Sequence, residues 1–509
     1  MTTIYDEVPY PSLVYSDTHP NRLATLATLF GLKPPPITNC RILELGCGDG
    51  TNLIAIAQSL PQSQCVGIDF SATQIAMGQK VIAAIECPHI TLKQLDFNEI
   101  DESLGMFDYI IAHGVYSWVP KEMQDKVLSL IKSHLAPKGI AYISYNIYPG
   151  WLMENVTRDL MMYHTQQLPK LPFQICMMQA KGIVQFIANL RQQSGEAFDV
   201  LLQEKSQQFQ TMQDNYLYHD FLEADNHPVY FHQFVEHATQ QDLAYITDIE
   251  FRHYLMLSFP PQVVEAMKEL FQEDFFKKEQ YMDFFYNRTL RRSLLCHQNM
   301  TINRELNWEI LPTFYIAASL QVQNPAINWQ NDEPALFTNA DGETITITHP
   351  LIKNAIRYLT TLYPHRVSFE ELFKHVSQQS RQNQELSTLR ETFAQELLPL
   401  YSLKAIELNM ESSPFVTMLS TYPTANPLAR YFASQAQQPV INLQCEFVNL
   451  STSAMALLPY LNGKNNSQAL RTILKKLIKN KKIESKKDNL SAVLEKTLRE
   501  IARNALLIT

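Results

Sequence analysis

The chain has 509 residues, enough for roughly three or four domains and for several buried cores, and its formal net charge of −9 argues against a protein whose main task is to wrap nucleic acid. Seven cysteines with no CxxC pair fit a reducing compartment and indicate neither disulfides nor a zinc knuckle. The N-terminus MTTIYDEVPYPS lacks an apolar leader and no later run approaches the roughly 18 apolar residues of a membrane span, so the expectation is a cytoplasmic protein.

The first residues carry Tyr5, Tyr10 and Tyr15 in a proline-bearing, extended segment that could fold over a ligand as a lid or pack on a sheet. From Arg41 onward apolar runs alternate with helical patterns: RILEL, a helix over 51–60, QCVGID, a helix over 71–85, ITLKQLD, FDYIIAH, a helix over 121–135 and GIAYISYN. Alternation of this kind predicts an α/β, doubly wound sheet. Gly31, Gly46, Gly48, Gly50, Gly67, Gly78, Gly105, Gly114, Gly139 and Gly150 precede position 151 and only four glycines follow it. Tight β-to-α turns need glycine and helical bundles avoid it, so the catalytic unit comes first, over 1–160.

Beyond it, 161–325 is rich in Met, Phe, Tyr and Gln and is predicted to be a helical cap. The segment 321–334 lacks apolar periodicity and is expected to be a linker. LFTNADGETITIT carries a hairpin signal at Asp341-Gly342, followed by an amphipathic helix from His349 to Leu362 and by SFEELFKHV, so 335–432 is predicted to be winged-helix-like. A small α+β unit with lysine-rich helices is expected over 438–509.

The most informative stretch is Gly46-Cys47-Gly48-Asp49-Gly50-Thr51-Asn52 after RILEL, a turn whose backbone can pass close to a ligand at a helix N-terminus. Thr51 stands where a dinucleotide fingerprint needs glycine, and no P-loop lysine follows. The pattern that remains is E-x-G-x-G-x-G, in which Glu44 complements a cation. Asp69 ends the second strand about 20 residues further on, where ribose hydroxyls are bound in such folds. Phe70 follows it, and Asp96-Phe97 after the third strand can meet an adenine edge and face. A lone glycine turn or strand-end Asp is ordinary α/β architecture; four strand ends in order are not.

With ELGCGDG as first motif, residues 41–146 resemble a class I S-adenosylmethionine-dependent methyltransferase. The stretches YDEVPYPS, THPNRLATLATLFGL, FDYIIAHGVYSWVP, SYNIYPGW, YHDFLEADNHPVYFHQFVEHA and YMDFFYNRTLRRSLLCH are similar to the bacterial methyltransferases with a methyltransferase regulatory domain, which include protein-lysine methyltransferases. The resemblance implies a mostly parallel, seven-stranded Rossmann-like sheet with S-adenosylmethionine as cofactor. It also implies cofactor contacts from Glu44, Gly46, Cys47, Gly48, Asn52, Asp69, Phe70, Asp96, Phe97 and His113, and lysine on a protein as the acceptor.

A lysine acceptor must lose a proton, which at pH 7 costs roughly 4.6 kcal/mol from a reference pKa near 10.4; an apolar, aromatic channel lowers that cost. Tyr116 and Tyr145 are the expected lining and His113 a candidate base, although a strand-end histidine is more often architecture. Trp118 and Trp151 are expected to pack the sheet edge against the cap. HGVY stands where many amino-methylating nucleic-acid enzymes carry [DN]PP[YF], which disfavours a nucleic-acid acceptor. His219, His227, His232 and His237 lack metal-ligand spacing, so no metal is expected. Arg291 and Arg292 could dock the cap to the catalytic sheet or contact an acidic substrate, but the default expectation is an amphipathic helix with an exposed basic face. The basic tail from Arg471 through Lys475, Lys476, Lys479, Lys481, Lys482, Lys486 and Lys487 is expected to be a solvated helix end. Two other readings stay open: a methyltransferase for a small metabolite, and a regulatory protein that senses the cofactor without turnover.

Overall fold

The computed structural model describes residues 4–169, 171–191, 195–257, 259–324, 326–379, 385–480 and 490–508. After α1 (Ile4–Glu7) and α2 (Pro20–Leu29), strands and helices alternate as β1 (Arg41–Leu45), α3 (Thr51–Ser59), β2 (Gln64–Asp69), α4 (Ala72–Ile85), β3 (Ile90–Gln94), β4 (Phe107–Ala112), α5 (Lys121–His134) and β5 (Leu135–Asn146). β1 exposes only Arg41 and the second half of β5 is wholly buried, which is why these runs read as continuous apolar stretches: helices cover both faces. Two more strands, β6 (Leu243–Asp248) and β7 (Leu290–His297), complete a seven-stranded sheet in the order β3-β2-β1-β4-β5-β7-β6. β7 runs antiparallel to both β5 and β6, whereas the other pairs are parallel. The chain order reverses between β1 and β4, and a crevice opens there beyond the carboxyl ends of the strands.

β6 and β7 come from the stretch expected to be helical throughout, and Arg291 and Arg292 lie in a strand instead of on an exposed helix face. The cause is pairing. The Arg291 side chain is fully buried, with Nε 2.9 Å from Asp283 Oδ2, Nη1 2.9 Å from Glu279 Oε2 and 3.1 Å from the Tyr245 hydroxyl, and its guanidinium lies 4.0 Å from the Phe231 ring centroid. A cation so satisfied can occupy a core position, and it reads as surface in a pattern of polarity.

The helical layer consists of α6 (Gly150–Gln166), α7 (Phe173–Arg191), α8 (Ala197–Thr211), α9 (Asp214–Phe221), α10 (Phe231–Gln240), α11 (Pro261–Phe271) and α12 (Phe275–Tyr286). Met161, Met177, Val184, Phe209 and Leu217 give the α6–α9 part its own small core. Next come β8 (Tyr315–Ala317), β9 (Gln321–Val322), β10 (Ala335–Thr338), β11 (Thr344–Ile347), α13 (Pro350–Leu362), β12 (Val367–Ser368), α14 (Phe369–Gln379), α15 (Leu386–Ser402) and β13 (Glu407–Asn409). β10 and β11 form an antiparallel hairpin closed at Gly342, whose φ of 81° explains the glycine. This unit shares one core with the catalytic sheet, and Asn21 Nδ2 donates to Asn409 Oδ1 at 2.6 Å across the join.

The last part, α16 (Pro427–Ser434), β14 (Val440–Ile441), β15 (Phe447–Val448), α17 (Thr452–Leu457), α18 (Ser467–Lys479) and α19 (Leu490–Arg503), has a separate core. Arg471, Lys475, Lys476 and Lys479 lie on α18; Lys481, Lys482, Lys486 and Lys487 lie outside the described residues. All seven cysteines are unpaired. No helix among the described residues is long and apolar enough to cross a membrane.

Candidate active site

The crevice holds a cavity of about 580 Å³ whose walls include Glu44, Gly46, Cys47, Gly48, Asn52, Asp69, Phe70, Asp96, Phe97 and His113. Every residue that the resemblance assigns to the cofactor thus reaches one cavity. The turn after β1 makes this possible: Gly46, Gly48 and Gly50 all take positive φ (68°, 57° and 73°), and a Cβ on Gly46 would come within 2.6 Å of Val115. The missing side chains leave a cradle of backbone at the start of α3.

Asp69 is held rigidly: Gly48 N donates to Oδ2 at 2.8 Å and Ser71 N to Oδ1 at 2.9 Å. Burial pushes its pKa upward against those bonds. Glu44 is 4% exposed; Asn52 Nδ2 donates to its Oε1 at 2.8 Å, and its Oε2 has no hydrogen-bond partner. Burial pushes the Glu44 carboxyl up to about 8. A buried carboxyl oxygen left unpaired beside a glycine cradle suits a ligand that brings a cationic donor. Asn52 is itself fixed, since its Oδ1 accepts from Tyr15 N at 2.9 Å. Beyond β3, Asp96 caps a short 3-10 turn by accepting from Asn98 N at 2.8 Å, and Phe70, 47% exposed, offers a free ring face. The residues fit S-adenosylmethionine, which carries an ammonium, a sulfonium, a ribose and an adenine.

The wall beyond β4 comes from elsewhere in the chain. Tyr10, Tyr15 and Trp118 line it together with His219, Asp220, Glu223 and Asp225 from the end of α9 and the following loop. The N-terminal segment folds over the site as one of its two expected arrangements, with the Tyr15 ring 3.8 Å from that of His113; the Tyr5 side chain lies outside the described residues. His113 Nδ1 is 2.8 Å from the Tyr142 hydroxyl, and burial pushes its pKa down to about 3. The ring is therefore neutral and a poor proton acceptor at pH 7. Trp118 lines the cavity and packs edge-on against Trp151 at 5.9 Å, so it belongs to the pocket as well as to the packing.

Tyr116 and Tyr145 are not on the cavity wall, contrary to the expectation that they line an acceptor channel. Each is 1% exposed. The Tyr145 ring stacks on Phe234 at 3.8 Å with its hydroxyl 2.9 Å from Ser293 Oγ, and the Tyr116 hydroxyl is 2.7 Å from His237 Nδ1. Both rings are drawn under α10, where their hydroxyls find partners, as buried phenols require. Among the middle histidines, His219 reaches the cavity, with Nδ1 2.9 Å from Glu223 Oε1. His227 lies beside Asp225, His232 beside Gln280 and His237 beside Tyr116 and Asp125. No group of three or more potential ligands placed to hold a metal occurs among the described residues. Asp220, Glu223 and Asp225 went unnoticed in the sequence; the signal was a run of carboxylates, HDFLEAD, with no compensating lysine or arginine.

Three families match parts of the chain: a methyltransferase domain over 42–139, a predicted methyltransferase regulatory domain over 213–297, and the PKMT C-terminal winged helix domain over 421–507. The last falls mainly within 438–509, expected as a small α+β unit, and overlaps the expected winged-helix stretch 335–432 only over 421–432. An uncharacterized protein of Rickettsia prowazekii is 32% identical over 99% of this chain and 93% of its own length. A second from the same organism is 43% identical over 47% of this chain and 94% of its own. The solved structure of PKMT2 from Rickettsia typhi in complex with AdoHcy is similar with a TM-score of 0.86 at 29% identity, covering 98% of this chain and all of that one.

Proposed function

Because this chain belongs to the bacterial class I S-adenosylmethionine-dependent methyltransferases that carry a regulatory domain, we propose that it methylates the ε-amino nitrogen of lysine on a protein. The observation that carries the acceptor reading is the charge of the cavity. Asp49, Asp69, Asp96, Asp220, Glu223 and Asp225 line it together with Glu44, which burial keeps protonated until a cation faces it, and no lysine or arginine does so among the described residues. Such a chamber concentrates cations and repels anionic acceptors such as phosphates. The family resemblance, which includes protein-lysine methyltransferases, and the similarity to PKMT2 support the same reading.

When bound, S-adenosylmethionine supplies a methyl group made electrophilic by its sulfonium. In this reading Asp69 accepts hydrogen bonds from the ribose hydroxyls, and Phe70, Asp96 and Phe97 hold the adenine. Gly46, Cys47 and Gly48 let the backbone approach. Glu44, fixed by Asn52, faces the ammonium of the methionine end. His113 and Tyr15, with rings tilted against each other, form an uncharged wall that excludes water and aligns the acceptor.

A small-metabolite acceptor is the second reading, favoured by the cap residues Asp220, Glu223 and Asp225 that reach the cavity wall. Incubation with methyl-labelled cofactor and size-fractionated cell extract, with Asp69→Ala as control, separates the two. Label on lysine in the protein fraction is expected; label in small molecules alone sinks the protein-lysine reading. Cofactor binding with no labelled acceptor in any fraction would leave a cofactor sensor.

A further inference from the structure

Asp220 stands at the cap end of the cavity, in the last turn of α9. Its surroundings differ from those of the other lining carboxylates. Tyr216 stands one turn earlier on the same helix, and Tyr216, Tyr10 and Tyr15 all lie close enough to Asp220 for its charge to act on their hydroxyls. The Tyr10 and Tyr216 ring centroids are 5.8 Å apart. Tyr10 and Tyr15 line the cavity with Asp220, while Tyr216 stands behind them. The result is a carboxylate set among phenol rings, open toward the space where a ligand enters.

The charged and titratable groups that face Asp220, besides the phenols, are Glu154, Arg158 and His219. Arg158 is already committed, donating to the backbone carbonyls of Glu223 at 2.5 Å and of Phe221 and Ala224 at 3.4 Å. Glu154 is paired with Lys205, and His219 Nε2 meets the Val8 carbonyl at 2.8 Å. Among the described residues no lysine or arginine forms a salt bridge with Asp220. Aromatic faces and a carboxylate together recognise an alkylammonium group, the faces through their quadrupoles and the carboxylate through charge and hydrogen bonds.

We propose that Asp220, flanked by Tyr10 and Tyr15, binds the ammonium group of the methyl acceptor and takes its proton, with Tyr216 as the positioning residue that aims the carboxylate. This rests on the reading of the acceptor as a primary amine. In the step, one Nζ–H bond of lysine breaks and the proton joins an oxygen of Asp220. The electron pair left on nitrogen forms the bond to the methyl carbon, while the pair of the breaking carbon–sulfur bond stays with sulfur. Burial raises the Asp220 carboxyl to about 7, so it takes that proton more readily than an ordinary carboxylate would. Since the ionised form must be present, the rate falls as pH drops below about 7.

The test compares wild type with Asp220→Asn, Asp220→Glu and Tyr216→Phe. Calorimetry on AdoHcy-loaded protein with Nα-acetyllysine amide as probe should show binding by wild type and a loss of about tenfold or more in Asp220→Asn. AdoHcy affinity should stay within about twofold, which also shows that the variant is folded. The acidic limb of the pH–rate profile should vanish in Asp220→Asn, return in Asp220→Glu and shift in Tyr216→Phe. No amine binding by wild type, unchanged amine binding in Asp220→Asn, or a retained acidic limb would overturn the assignment. A loss of AdoHcy affinity would place Asp220 at the cofactor's methionine end and overturn it too. Absence of lysine labelling in extract, with amine binding intact, would fault the protein-lysine reading and leave this one standing.

Discussion

The two walls of the cavity are built in opposite ways. On the cofactor side, Glu44 to Phe97 come from consecutive strand ends, so sheet topology alone brings them together. On the side proposed for the acceptor, Tyr10 and Tyr15, Trp118, and His219 to Asp225 come from three distant stretches that only tertiary packing unites. A wall made by topology is robust and repeats across a fold; a wall made by packing is where specificity can change. The two sides should therefore respond differently to perturbation.

The largest effect is expected where the helical layer is fastened to the sheet. Arg291→Ala would strip Glu279 and Asp283 of their buried cation and leave only Arg288, 3.4 Å from Asp283, at a cost of about 3–5 kcal/mol. Denaturant unfolding followed by a probe in this region should show the loss. A shift below about 1 kcal/mol would mean that the ion network does not hold the join. On the cofactor side, Asp69→Ala should retain the fold and weaken AdoHcy binding by about 10- to 100-fold, as expected for charge-assisted bonds of about 1.5–3 kcal/mol. Unchanged affinity by calorimetry would refute the ribose assignment.

Glu44 sharpens the comparison through pH. Its carboxyl is raised by burial to about 8, so it is protonated in the free protein at pH 7. If binding places the ligand's ammonium against it, the bound form is ionised and a proton is released. Affinity for AdoHcy should then rise roughly tenfold per pH unit between about 6 and 7 and level off above about 8. Glu44→Gln should abolish that slope. A slope that survives in the variant would assign the proton to another group.

The cofactor side was legible because each of its features has a local cause. Glycines with positive φ mark the turn, and Glu44, Asp69, Asp96 and His113 lie at or just beyond the carboxyl ends of β1 to β4. The other side was hidden for equally physical reasons. β6 and β7 are strands whose polar residues are buried by pairing, so Arg291 passes for surface until Asp283 and Glu279 are seen beside it. Asp220 and Glu223 sit on or just beyond a helix end and look solvent-facing unless the cavity is known. The hairpin at Gly342 was predicted because its turn chemistry is local.

Tyr145 provides the smallest and most discriminating change. It looked catalytic because aromatic residues cluster at the end of β5, yet its hydroxyl is satisfied by Ser293 and its ring by Phe234, away from the cavity. Tyr145→Phe removes one buried hydroxyl and leaves Ser293 Oγ short of a partner, so stability should fall by about 0.5–1.5 kcal/mol. Methyl-transfer kcat and KM should stay close to wild type. A loss of kcat beyond about tenfold, with AdoHcy affinity and stability unchanged, would mean that Tyr145 acts on the reaction through packing that the cavity wall does not reveal. In that case the acceptor side would extend under α10, and the boundary between scaffold and chemistry would have to be redrawn from Phe234 outward.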